Sequence, residues 1–214
     1  MINETIDYYN KNAKQYIELT REVSSEDREE MLLKYLQPGA YILDVGCGSG
    51  KDSKSLIEKG YKVCSIDGSE QMVKLASKYI GQEVICKRIE NIEFQEEFDA
   101  IYASAVLLHI PRKEQKSVLE KLAKAIKKNG YLYINYKQGE FEGMRDGRYY
   151  TDYTIELFEE LIKSIKNLKL IEHKIIIDEL GRGNNWLNII LKKEWSSSFF
   201  FSIGLQINIK YAII

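Results

Sequence analysis

From residue 41 to residue 136, short apolar runs alternate with amphipathic stretches, and this alternation constrains the fold more than any other feature. The runs 41–45, 62–66, 84–86, 98–106 and 131–136 have strand length, bounded by polar or glycine-containing segments. Between them, 52–59, 70–79 and 114–128 carry helical periodicity, the last closed by Asn129-Gly130. Strands alternating with helices connect by right-handed crossovers, which predicts a parallel, doubly wound α/β sheet. Upstream, Ile2, Ile6, Tyr9, Ala13, Tyr16 and Ile17 recur at helical spacing and outline an opening helix. A second helix is expected after Ser24 or Ser25, with Glu26, Asp27, Glu29 and Glu30 at its positive end, stopping before Pro38-Gly39.

Beyond residue 137 the rhythm changes. Residues 138–152 read as a long polar loop, 154–164 as a helix, and 168–178 and 186–193 as two strands joined by the glycine-rich turn at 181–185. The 214 residues suit a single α/β domain, taken as 1–194, followed by an apolar tail at 195–214 for which the sequence suggests no function. A net charge of -1 supplies no clear nucleic-acid signal. Cys47, Cys64 and Cys86 lack metal-ligand spacing and sit in or beside apolar runs, so no metal site is expected and a reducing compartment is. With no basic segment ahead of an apolar stretch at the start, and no run fit to span a membrane, the expected location is the cytoplasm.

Function is written most densely in Asp44-Val45-Gly46-Cys47-Gly48-Ser49-Gly50, which leaves a strand and enters a helix. Glycines permit a tight turn and close approach of a ligand to the backbone, and the following helix start offers free N–H groups. A dinucleotide fingerprint needs glycines two and five residues after the first. Here they fall two and four residues after Gly46, and Gly50-Lys51 is followed by Asp52, so neither that motif nor a phosphate-binding lysine step is present. Asp44 suits a ligand with an ammonium group. Asp67, ending the second strand just before Gly68, has the position from which a carboxylate accepts ribose hydroxyls, or else caps the next helix, a task Ser69 can do alone. Met72 either lies against an adenine face or packs in the core.

These residues resemble the class I S-adenosylmethionine-dependent methyltransferases, over roughly residues 8–193. The likeness rests on Tyr8-Tyr9 through Ala13 and Tyr16, on 44–50, on 67–72 and on 98–111, and looks closest to small bacterial enzymes of a tellurite-resistance-like or unassigned kind. It implies a Rossmann-like, mostly parallel sheet ending in an antiparallel hairpin. It also implies that Gly46, Cys47, Gly48 and Gly50 line the methionine portion of the cofactor, with Asp44 near its amino group. Asp67 and Gly68 would meet the ribose and Met72 the adenine. Ala103 and Ser104 would pass near the methionine, and Tyr9 or Tyr16 would close over the site. Many relatives carry an acidic residue after the third strand for adenine. Here Arg88 stands near that place, which leaves Ile89 and Glu90 as the expected adenine contacts.

Methyl transfer needs a base when the acceptor must lose a proton. His109, just past the fourth strand, is the candidate, although it can equally cap or pack that turn; His173, within an apparent strand, reads as structural. Ligand crevices in such sheets open at the carboxyl ends of the strands, so the 138–152 segment should border the acceptor. Arg145 and Arg148 could clasp an anionic acceptor and Tyr149 and Tyr150 stack on a planar one, or the segment is a solvated loop; Trp186 and Asn185 could buttress its rim. No acidic-Pro-Pro-aromatic or Asn-Pro-Pro-aromatic tetrapeptide follows the fourth strand, which favours a small-molecule acceptor over a nucleobase or protein side chain. Methylation of tRNA or protein, and cofactor binding without catalysis, are the alternatives.

Overall fold

A computed structural model describes residues 2–177 and 185–194. Most of the expected hairpin turn and the apolar tail lie outside them. Helices α1 (Ile2–Thr20) and α2 (Glu26–Leu33) precede β1 (Tyr41–Val45), α3 (Lys51–Glu58), β2 (Lys62–Asp67), α4 (Glu70–Ile80) and β3 (Ile85–Cys86). Then follow β4 (Phe98–Ala103), α5 (Arg112–Ala125), β5 (Ile126–Lys137), β6 (Glu142–Arg145), β7 (Arg148–Thr151), α6 (Ile155–Lys163), β8 (Leu168–Ile177) and β9 (Asn185–Lys193). Seven strands form one sheet in the order β3-β2-β1-β4-β5-β9-β8. Neighbours from β3 to β5 pair parallel, and β9 pairs antiparallel with both β5 and β8. This is the expected doubly wound, mostly parallel sheet with its antiparallel end.

Period-two alternation along the strands assigns the two faces. Ile42, Ala100, Tyr102, Tyr133 and Ile190 point to one side, where Met31 and Leu32 of α2 and Leu56 of α3 cover them. Leu43, Ile101, Ala103, Leu132 and Ile134 point to the other, under Leu119 and Leu122 of α5 and Phe158 of α6. Helix α2 is tied down at Glu29, which is fully buried and accepts hydrogen bonds from Ser25, Ser55 and Lys59. Ser25 holds the cap position of α2, but its hydroxyl donates to that carboxylate instead of capping the backbone. No helix among the described residues is long and apolar enough to cross a membrane.

Two expectations about local structure are corrected. Residues 126–128 extend β5 instead of prolonging α5: Ile126 is fully buried and pairs with Phe98, and that burial outweighs helical propensity. The chain then bulges before Tyr131 pairs with Ala100, with Asn129 at φ 62. Residues 138–152 are not a loop. They contain the antiparallel hairpin β6–β7, whose tip Asp146-Gly147 has φ 51 and 75, the left-handed pair that a tight two-residue turn demands. The Asp-Gly step was the available signal, hidden by the polar composition around it.

A Cβ on Gly130 would stand 2.5 Å from both the Asp99 carbonyl oxygen and Ile126 Cγ2. Gly130→Ala should therefore displace the β5 bulge and cost on the order of 1–3 kcal/mol, measured as a shift in urea midpoint with the slope unchanged.

Candidate functional site

β1 and β4 are neighbours, yet the chain leaves them toward opposite faces of the sheet, so a crevice opens between their carboxyl ends. After Val45 the backbone turns sharply at Gly46, whose N–H, with that of Cys47, donates to the Ile66 carbonyl at 2.8 and 3.0 Å. Gly46, Gly48 and Gly50 all adopt left-handed φ, at 68, 54 and 79. The three nevertheless do different work. A Cβ on Gly46 would collide with Val106 at 2.6 Å, and one on Gly50 with Ile80 at 2.7 Å. One on Gly48 would point into open space, with nothing nearer than the Gly46 carbonyl oxygen at 3.9 Å. Gly48 is thus where a ligand can approach the backbone, and Gly50 is a packing residue beneath α4.

Asp67 fixes this turn from the neighbouring strand. One carboxylate oxygen accepts from the Gly48 N–H at 2.9 Å and the other from the Ser69 N–H at 2.8 Å. Each oxygen keeps a lone pair for a ligand hydroxyl. Burial pushes this carboxyl upward in pKa, while the amides of Ser69, Gly48 and Gly68 pull it back. Ser69 caps α4 by accepting from Met72 N–H and donates to Asn10 of α1, which leaves Asp67 free of the capping role.

Two cavities meet at this crevice. The narrower, about 100 Å³, is walled by Asp67, Gly68 and Met72, by Arg88, Ile89 and Glu90, and by Thr5 and Ile6 of α1. The wider, about 630 Å³, is walled by Cys47, Arg145, Arg148, Tyr150 and Trp186, with Arg28 from α2. Gly46, Gly48, Ser104, Ala105, Tyr9, Tyr16 and His109 border both.

The shared border contains a directed hydrogen-bond chain. His109 Nδ1 lies 2.6 Å from the Tyr149 carbonyl oxygen, which can only accept, so the proton sits on Nδ1. Nε2 then accepts from the Tyr9 hydroxyl at 2.9 Å. Burial, with the nearby Arg148 and Lys137 charges, lowers the His109 pKa to about 4, so the ring is neutral at physiological pH. Burial and Tyr16 raise that of Tyr9, which stays protonated. Arg148 NH1 stands 3.5 Å from the same hydroxyl oxygen.

Most residues anticipated from the sequence gather here, but four do not line the cavities. Asp44 is buried behind the glycine turn, taking a 2.5 Å hydrogen bond from Ser53. Gly50 faces α4, as above. Ala103 is fully buried in the sheet core, and the wall begins one residue later at Ser104. Tyr149 points away because side chains alternate along β7: its hydroxyl donates to Glu142, while Arg148 and Tyr150 face the wide cavity. Arg145 is in the wall, its guanidinium paired with Asp152 at 3.0 Å. Trp186 forms part of the rim, and the Asn185 carbonyl accepts from Gln138. His173 is exposed on β8, opposite Ile189. At the third-strand corner, Arg88 bonds Asn3 of α1 and Lys121 takes the Glu90 carbonyl.

Sequence reading missed Asn135 and Lys137. Asn135 accepts from the Ala105 N–H at 2.6 Å, stabilising a residue at φ 55 where β4 ends. A polar side chain inside the apolar run 131–136 was its signal. Arg28 had none, since only the tertiary fold brings α2 to this rim.

Residues 43–134 match a family model described as a methyltransferase domain. The ubiquinone biosynthesis O-methyltransferase of Idiomarina loihiensis is 32% identical over 104 residues, covering 45% of this chain and 42% of the relative. The match therefore spans less than half of that relative's length. Among solved structures, the 1,6-didemethyltoxoflavin-N1-methyltransferase of Burkholderia thailandensis, with bound 1,6-didemethyltoxoflavin and S-adenosylhomocysteine, has a TM-score of 0.75 at 17% identity, covering 91% of this chain and 88% of that one. The magnesium protoporphyrin IX methyltransferase of Synechocystis, with bound S-adenosylhomocysteine, has a TM-score of 0.73 at 15% identity, covering 90% and 99%. By architecture the chain has the Rossmann-like α/β fold of these structures. Residues 43–134 thus resemble methyltransferase domains, and these matches do not single out the tellurite-resistance-like subgroup.

Two titrations test this geometry. Burial, then the Asp52 charge, raises the Asp44 pKa to about 8, so the folded state retains a proton that the unfolded chain releases near pH ~4. The resulting stabilisation is complete below the unfolded pKa and is lost as pH rises toward about 8. Denaturant unfolding of wild type against Asp44→Asn should show a stability difference that slopes across that window; a constant difference contradicts the assignment. For His109, ¹⁵N NMR should find the neutral ring with Nδ1 protonated from pH 8 down to pH 5, about one unit above its depressed pKa. Protonation near pH 6.5, the ordinary histidine value, would contradict the buried hydrogen-bond chain.

Proposed function

We propose that this protein transfers a methyl group from S-adenosylmethionine to a small-molecule acceptor. The observation that carries the reading is a pair of cavities sharing one border at the glycine turn, one suited to a nucleoside and the other open beside it. The residues fit the cofactor: Asp67 presents one free lone pair on each oxygen, and the space beside Gly48 is clear. Asp67 would hold the ribose, Met72 and Ile89 the adenine, and Gly46, Gly48 and Ser104 the methionine portion. When bound, the cofactor supplies an electrophilic methyl carbon on a sulfonium, ready for in-line displacement. The chain supplies positioning and a site shielded from water by α1.

His109 reaches the acceptor through Tyr9. As the acceptor hydroxyl or amine attacks, its proton passes to the Tyr9 oxygen while the Tyr9 proton passes to His109 Nε2. The size of the wide cavity, about 630 Å³, supports a small acceptor over tRNA or a protein segment, and its position beside the cofactor border weighs against binding without catalysis. Three unpaired thiols support a cytoplasmic setting.

Calorimetry with S-adenosylmethionine and S-adenosylhomocysteine tests the reading. Micromolar binding should weaken by about tenfold to a hundredfold in Asp67→Ala, the loss expected for hydrogen bonds to a charged group. Folded wild type that binds neither ligand, but binds NADH, would overturn it.

A further inference from the structure

Resting on that reading, we propose that the acceptor is a planar aromatic acid, its ring held in the wide cavity between aromatic side chains and its carboxylate on Arg148. Some of the charges in the cavity wall are already matched. Arg145 pairs with Asp152 at 3.0 Å and Lys51 with Asp52 at 3.2 Å. Two cavity cations are different: no carboxylate of the described residues lies within 4.0 Å of the guanidinium of Arg28 or Arg148, and the Nε of each is buried without a hydrogen-bond partner. Of the two, Arg148 stands beside Tyr9 on the border with the cofactor cavity. Its neighbours are ring faces: the guanidinium carbon lies 4.7 Å from the Tyr8 ring centre, 5.3 Å from that of Tyr150 and 5.8 Å from that of Tyr9. Cation–π contacts hold such a group in place without neutralising it. A second cation, the Lys137 ammonium, stands 4.5 Å from the Tyr150 ring centre on the same cavity wall.

The imidazole of His109 registers both charges, since Arg148 and Lys137 each oppose its protonation. An anion entering beside them would relieve that opposition and make His109 a better proton acceptor when substrate is present. The shape of the wall completes the specification. Tyr16 and Trp186 line the same cavity with aromatic rings, and a guanidinium fork matches the planar geometry of a carboxylate. The Tyr9 hydroxyl, 3.5 Å from Arg148, lies on the border with the cofactor cavity. A ring whose acid rests on Arg148 therefore lies beside that border, where a hydroxyl or ring nitrogen near the acid can face it.

The test uses the full chain saturated with S-adenosylhomocysteine and two probe pairs that differ by one carboxylate: 4-hydroxybenzoate against phenol, and indole-3-carboxylate against indole. Calorimetric or NMR titration should show at least one acid binding about tenfold to a hundredfold more tightly than its uncharged counterpart. Arg148→Gln should erase that preference, and Arg148→Lys should retain part of it. S-adenosylhomocysteine affinity and the circular dichroism spectrum of both variants report whether the fold and cofactor cavity survive. Acids and neutral rings that bind equally, or none that bind, would overturn the proposal while leaving the cofactor reading intact. Failure of wild type to bind S-adenosylhomocysteine would strike that earlier reading instead. An acid preference that persists in Arg148→Gln, with the fold preserved, would overturn the assignment to Arg148.

Discussion

The bond between the Gly48 N–H and the Asp67 carboxylate holds the site together. It spans two adjacent strand ends and sets the curvature of the glycine turn. It also leaves the carboxylate half satisfied and facing a cavity. A buried carboxylate that accepts backbone N–H groups is stabilised as an anion, yet each oxygen has capacity to spare. The order of strands makes this possible, because the switch in direction between β1 and β4 opens the crevice that the turn then lines. Everything else at the site, from α1 above to the β6–β7 hairpin beside it, is built around that gap.

How much of this could be read from sequence depended on the range of the signal. β1, α4 and the start of β2 fall where periodicity and capping residues put them, since those signals are local and burial agrees with them. Where local propensity and tertiary burial conflict, burial prevails, as at Ile126, which leaves a helical pattern to enter the sheet. Site residues followed the same division. Asp67 and Gly48 were legible because a strand-to-helix turn fixes them from both sides. The placement of Tyr149 and Tyr150 was not, because strand alternation sends neighbours to opposite sides and the hairpin itself went unrecognised. Ala103 missed the wall by one residue for a similar reason: the strand ends there and the backbone turns only at Ser104 and Ala105.

The border between the cavities combines two kinds of control. Arg148 and Lys137 hold positive charge against the imidazole, and desolvation keeps that imidazole neutral. A carbonyl oxygen fixes its tautomer, so a single nitrogen lone pair faces Tyr9. On the proposed reading, a negative group bound beside those charges makes such a histidine a better and already directed base. The chemistry is thus written in the tautomer and the surrounding charges more than in the identity of the residue.

Among the side-chain hydrogen bonds that hold helix α1 are Asn3 to Arg88, Thr5 to the Tyr149 N–H, Tyr9 to His109, and Asn10 to Ser69. Two of these lie beside the narrow cavity and two reach the hairpin and the border. One rigid rod therefore serves as roof to the first compartment and as wall to the second. A displacement of α1 that widened the first compartment would therefore also shift Tyr9 and Tyr16 in the wall of the second.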